Sequence, residues 1–192
     1  IEALFMIDHQ RKLLFVHIAR TGGTSVESAL VGNDWWRIDP KTKHLSARQM
    51  RAFYGEDIWN KYKKFSIVRN PWDRVISMWA TGWWSPELNM AGIENHSGLK
   101  QFIERLSPHE HEEYGSLLFV DIINEELDYI LRYETLNSDL NQMLDELGLG
   151  QVVLPRLESR KREPYTFYYN DDTKALVQKI FSQDILKYGY SF

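Results

Sequence analysis

Short apolar runs alternate along this chain with stretches whose apolar residues recur at helical spacing. Ala3–Ile7 and Leu13–Ala19 read as two strands joined by the polar turn Asp8-His9-Gln10-Arg11-Lys12. A glycine turn, Arg20-Thr21-Gly22-Gly23-Thr24-Ser25, then opens into Val26–Leu30, which continues as helix. Ser46 with Gln49 three residues on predicts a capping box and a helix running through Phe53. Lys64-Phe65-Ser66-Ile67-Val68 predicts a buried strand that stops at Asn70-Pro71. Proline suits the first turn of a following helix, on which Val75, Met78 and Trp79 mark an apolar stripe. Trp84–Gly98 has turn composition. Leu127–Tyr133 predicts another strand, and Asn137–Leu147 a helix closed by Gly148. A basic loop, Arg156–Arg162, precedes a last helix from about Asp171, with Val177, Ile180 and Phe181 on its inner face. Strands alternating with helices, with no repeat or linker between them, predict a single α/β domain over residues 1–192. Its central sheet is mainly parallel and flanked by helices.

Composition narrows the classes. Of the 192 residues 43% are hydrophobic and 14% aromatic, which excludes a disordered tail. The net charge of −4 argues against nucleic acid as a partner, so any phosphate recognition is local. The absence of cysteine excludes disulfides and thiolate metal sites; it suits a reducing compartment, and a cytoplasmic location is the expectation. No apolar run approaches the roughly 20 residues that span a bilayer, so no membrane span is expected. Ile1-Glu2-Ala3-Leu4-Phe5 lacks the layout of a signal peptide, although a chain beginning at Ile1 need not show its native start.

The strongest chemical signal is Arg20–Ser25. A strand, a glycine-bearing turn and a helix start direct backbone N–H groups at one place, where a phosphate-like group can sit. Arg20 adds charge, and Thr21, Thr24 and Ser25 add hydroxyl donors. The layout is P-loop-like, but the G-x-x-x-x-G-K-[ST] spacing is missing. A plain strand-to-helix connection is the competing reading. The second signal is Arg69-Asn70-Pro71-Trp72-Asp73-Arg74-Val75-Ile76-Ser77 at the end of a strand, the position where open α/β sheets bind ligands. Arg69 can fork onto a phosphate and Ser77, away from the stripe, can add a hydroxyl. Alternatively Arg69 pairs with Asp73 and Ser77 faces water.

Taken together and in this order, these motifs resemble the PAPS-dependent sulfotransferases. The likeness is closest to a branch of small bacterial enzymes related to carbohydrate sulfotransferases. It continues through Lys43-His44-Leu45-Ser46-Ala47, Leu131-Arg132-Tyr133-Glu134 and the segment Asp184–Phe192. The resemblance implies PAPS (3′-phosphoadenosine-5′-phosphosulfate) as sulfuryl donor, PAP as product, a carbohydrate or small-molecule hydroxyl acceptor, and no metal. Arg20, Thr21, Gly22, Gly23, Thr24 and Ser25 would grip the 5′-phosphosulfate, with Arg20 stabilising the leaving group. Arg69 and Ser77 would hold the 3′-phosphate, joined by Ser159 or Arg160 of the basic loop. The family usually has lysine at position 20 and commonly proline at 19, where this chain has Arg20 and Ala19.

An in-line displacement at sulfur needs a base, and a histidine near its ordinary pKa of about 6.5 suits this. His44 matches a histidine of this branch and is the candidate general base; a surface loop histidine is the alternative. Lys43 is a lesser candidate for sulfonate contact. Glu27 is the second candidate base, although a first-turn carboxylate more often complements the helix dipole. His17, alternating with Phe15 and Ala19, reads as a core or cleft-wall residue. His109-Glu110-His111-Glu112-Glu113 lacks a metal-ligand spacing and begins an acidic stretch to Asp128. The tryptophans at 35, 36, 72, 79, 83 and 84 suit core packing more than a sugar platform. Two rival functions remain: a P-loop-like small-molecule kinase, which would need Mg²⁺ and a Walker-type lysine, and a non-catalytic PAP- or nucleotide-binding module.

Overall fold

The apolar runs around Leu14 and Ile67 become the two central strands of a four-stranded sheet. The computed structural model describes residues 7–38, 40–88, 96–106, 115–155 and 162–192. Its elements in chain order are β1 (Ile7–Asp8), β2 (Leu13–Val16), α1 (Gly23–Val31), α2 (Ala47–Tyr54), α3 (Glu56–Lys61), β3 (Lys63–Val68) and α4 (Pro71–Thr81). They continue with α5 (His96–Arg105), α6 (Phe119–Ile122), β4 (Tyr129–Arg132), α7 (Leu136–Glu146), α8 (Asp171–Ile180) and α9 (Ser182–Tyr188). The spatial strand order is β1-β2-β3-β4, with β1 antiparallel to β2 and both other pairings parallel. The expected mainly parallel α/β sheet flanked by helices is thus present. All of β2 and the last four residues of β3 are buried, as parallel strands covered on both faces must be. Ser66, the polar residue within that stretch, donates its hydroxyl to the Val16 carbonyl at 2.7 Å.

Contacts divide the chain into two compact units, Ile1–Val68 with Ile122–Glu158 and Arg69–Asp121 with Ser159–Phe192. The first contains the sheet with α1, α2, α3 and α7. Its capping box forms as predicted: Gln49 N–H donates to Ser46 Oγ (3.3 Å) and Ser46 N–H to Gln49 Oε1 (2.8 Å). Strand β2 stops at Val16 rather than Ala19, because from His17 onward the backbone leaves the ladder for the glycine turn. Strand β4 is likewise shorter than expected, and Tyr133–Thr135 form a single 3₁₀ turn.

The second unit is helical and closes around Val75, Met78, Trp79, Phe102, Val177 and Phe181. Asn70 caps α4, its Oδ1 accepting the N–H of Trp72 at 3.0 Å, and Pro71 fills the first turn. Helix α4 differs from the expected one-sided stripe, since nine of its 11 residues are buried. It is the central helix of its unit, packed by α5, α8 and the 3₁₀ turn Tyr165–Tyr168. Its polar residues are therefore buried too. Arg74 donates to the Leu117 carbonyl at 2.6 Å and lies over the Phe119 ring. Ser77 is 6% exposed and does not face water. The predicted final helix divides at Phe181 into α8 and α9, and α5 occupies part of the stretch read as turn. Among the described residues, no helix is long and apolar enough to cross a membrane.

Candidate active site

In the first unit the chain leaves β2 at Val16 and turns through two left-handed residues, Arg20 (φ 65°) and Gly22 (φ 86°). For arginine this conformation costs on the order of 1–3 kcal/mol, and such outliers concentrate where function demands a particular backbone. The two glycines are required for different reasons. Gly22 supplies the positive φ, and a Cβ there would sit 3.0 Å from Leu136 Cδ2. Gly23 has an ordinary φ, but a Cβ on it would stand only 2.3 Å from Nε2 of the His17 imidazole. Thr21 is fully buried and donates its hydroxyl to the Ile18 carbonyl at 2.8 Å, so it braces the turn. Thr24 and Ser25 lie half-buried in the first turn of α1, where Ser25 N–H donates to the Gly22 carbonyl at 3.1 Å. Gly22, the N-cap of α1, offers no side-chain cap. The positive end of a nine-residue helix therefore opens at a turn that carries a guanidinium and two hydroxyls.

Behind this turn lies a buried polar cluster. His17 and Glu27 are each 4% exposed, with Nδ1 of His17 and Oε1 of Glu27 2.5 Å apart. The other carboxylate oxygen accepts the Trp35 N–H at 3.1 Å and the Lys43 ammonium at 2.9 Å. Lys43 is itself buried and also reaches Asp34 Oδ1 at 2.5 Å. Glu27 does not merely complement the dipole of α1, and Lys43, instead of standing exposed, divides its ammonium between two carboxylates. Burial would raise the Glu27 carboxyl, but His17 and Lys43 together outweigh it and hold the group at about 2.

His44 packs against the same cluster. Its Nδ1–H donates to the His17 carbonyl at 3.1 Å, and the two imidazoles meet edge-on with centroids 5.0 Å apart. With the proton on Nδ1, the neutral ring carries its lone pair on Nε2. The expectation of an unshifted histidine is corrected: burial, aided by the neighbouring His17 charge, pushes His44 down to about 3. His44 is a packed residue, not a loop histidine in open solvent.

The second unit holds the other predicted residues. Arg69 is 4% exposed and forks onto Asp73 Oδ2 through Nε (2.9 Å) and a terminal nitrogen (2.7 Å). That pairing is the local one anticipated as an alternative. Sequence reasoning missed a third member: Arg162, the last residue of the basic loop, donates to the other oxygen of Asp73. One carboxylate thus organises two guanidiniums. Ser77 lies on α4, where its carbonyl accepts the Thr81 hydroxyl at 2.9 Å. Ser159 and Arg160 lie outside the described residues, as does His109–Glu113.

Comparison with known proteins adds one finding. The model of the Sulfotransferase family matches residues 3–114, a span that contains the glycine turn, His44, Arg69 and Ser77. No curated protein matches the chain.

Proposed function

Since this chain belongs to the sulfotransferase family, we propose that it transfers a sulfuryl group from PAPS to a hydroxyl of a carbohydrate or small-molecule acceptor. The observation that carries the reading is the hydrogen bond from His44 to His17. It ties the proposed base to the residue that follows β2 and leads into the glycine turn, so the proposed acid–base and anion-binding groups lie within one unit. In the proposed reaction the acceptor oxygen attacks sulfur, the bond from sulfur to the 5′-phosphate oxygen breaks, and the acceptor proton passes to His44 Nε2. Arg20 and the first-turn N–H groups of α1 balance the charge left on the phosphate oxygen. Such preorganised donors are typically worth about 2.7–4 kcal/mol each. Thr24 and Ser25 add hydroxyl donors, while Thr21 contributes by bracing the turn.

A histidine held at about 3 is neutral near pH 7 and ready to accept a proton, but weakly basic. The anionic phosphosulfate of a bound donor would favour the imidazolium and draw this value back toward the useful range. In the second unit Arg69 and Ser77, with Ser159 and Arg160, would recognise the 3′-phosphate that distinguishes PAPS from ordinary adenine nucleotides. Asp73 holds Arg69 and Arg162 in a prepared fork. The test is incubation with labelled PAPS and a panel of saccharides and small alcohols. A sulfated product is expected. Chelator-sensitive ATP turnover would indicate a kinase instead, and PAP binding without any sulfated product a binding module.

A further inference from the structure

Glu27 takes no part in the proposed transfer, yet its buried carboxylate engages His17, Trp35 and Lys43. From α1 it reaches the residue that follows β2 (His17), the turn at Trp35 and the loop carrying Lys43 and His44. His17 in turn touches two parts of the proposed machinery. Its carbonyl accepts the His44 Nδ1–H, and its ring fills the space where a side chain at position 23 would begin. Lys43, the immediate neighbour of His44, is anchored by Glu27 and Asp34. A carboxylate that only stabilised the helix would need none of these links.

We infer that Glu27 is a positioning residue that, through His17 and Lys43, sets the placement and tautomer of His44 so that Nε2 is the nitrogen presented to the acceptor proton. The inference rests on the proposed role of His44 and deepens it. The geometry supplies the reason. Without the carboxylate His17 loses the acceptor for its Nδ1–H and can turn about its side-chain bonds, and Lys43 loses its ion pair with Glu27. The His17 ring that packs on His44 and the residue that precedes His44 are then less firmly held, and with them the arrangement that points Nδ1–H at the His17 carbonyl. A role of this kind belongs to a second layer of residues that orients a reacting group.

The test is imidazole ¹⁵N spectroscopy of the full chain, wild type and Glu27→Gln, with PAP affinity measured alongside. Because Glu27→Gln leaves a neutral amide with a single acceptor oxygen facing the Lys43 ammonium, the double variant Glu27→Gln/Lys43→Gln provides a second, charge-compensated background. In wild type, His44 is expected as a single tautomer protonated on Nδ1. In a folded variant that single tautomer is lost to a mixture, while PAP affinity stays within about twofold. A folded variant that keeps the pure Nδ1–H tautomer overturns the inference, as does a wild-type protein that already shows both tautomers. Failure of both variants to fold overturns it too, since Glu27 would then serve folding alone. If His44→Ala retains full sulfuryl transfer while Glu27→Gln still mixes the tautomers, the base assignment falls and the positioning role stands.

Discussion

The imidazole of His17 comes within 2.3 Å of where a Cβ on Gly23 would stand. The second glycine of the turn is therefore fixed by packing and not by backbone conformation, and the turn and the histidine constrain each other. Gly23→Ala must displace either the ring or the start of α1. Overpacking of this sort typically costs about 1–3 kcal/mol, and a lower unfolding midpoint in denaturant is expected. In a His17→Ala background the same change should cost less. A double-mutant cycle would then show coupling of about 0.5–3 kcal/mol, and strict additivity would contradict the packing account.

Arg20 stands where the sulfotransferases that this sequence resembles usually have lysine. Arg20→Lys is expected to retain most of the turnover, because the charge remains beside the leaving group. Arg20→Ala should lose roughly 10²–10³ in kcat, the usual consequence of deleting one preorganised donor. Steady-state rates of sulfated-product formation check both, and an alanine variant with unchanged kcat would remove Arg20 from the chemistry.

His44→Ala should separate binding from turnover. General base catalysis contributes about 10²–10⁴ to a rate, so kcat should fall by a factor in that range while PAP affinity stays nearly constant. A parallel loss of PAP affinity would mean that His44 supports the nucleotide site and not the proton transfer.

Stability should fall as pH drops below the ordinary histidine range. The native state holds His44 at about 3, below its value of about 6.5 in the unfolded chain, so between these limits the unfolded chain binds more protons. The stabilisation is complete above pH 6.5 and is lost as pH falls toward 3. Glu27, held at about 2, adds a loss that begins below about 4.5. Unfolding free energies measured between pH 7 and 4 should fall, with a slope of up to about 1.4 kcal/mol per pH unit from His44. His44→Asn should flatten that slope, and an unchanged slope in the variant would contradict the shift.

Much of this was legible in the sequence, for reasons that can be named. Strands β2 and β3 announced themselves because burial on both faces demands a near-continuous apolar run, which in β3 only Ser66 interrupts. The Ser46–Gln49 box and the Asn70-Pro71 start are local signals that tertiary structure left intact. Helix α5 carried a readable stripe, Leu99, Phe102 and Ile103, all buried and continued by Leu106 just beyond its end. Its start lies in a glycine-bearing stretch of turn composition, which concealed it. The burial of nine of the 11 residues of α4 could not be read, because Arg74 and Ser77 look like a solvent face until the fold is known. The same holds for the site. Residues of the glycine turn follow one another in sequence, so the turn was visible. Glu27, by contrast, meets His17 ten residues away and Lys43 sixteen away, and Arg162 meets Asp73 across 89 residues. Such pairings, and the displaced proton affinity of His44 that burial causes, exist only in the folded chain.

The central claim of the proposal is that Arg69 recognises the 3′-phosphate that distinguishes PAPS and PAP from ordinary adenine nucleotides. Calorimetric titration with PAP and AMP, in wild type and Arg69→Ala, tests it most directly. Wild type should prefer PAP. Arg69→Ala should lose about 10- to 100-fold in PAP affinity, the worth of one charge-assisted hydrogen-bonding group, while AMP affinity changes by less than about twofold. Equal affinity of wild type and Arg69→Ala for PAP would contradict the account.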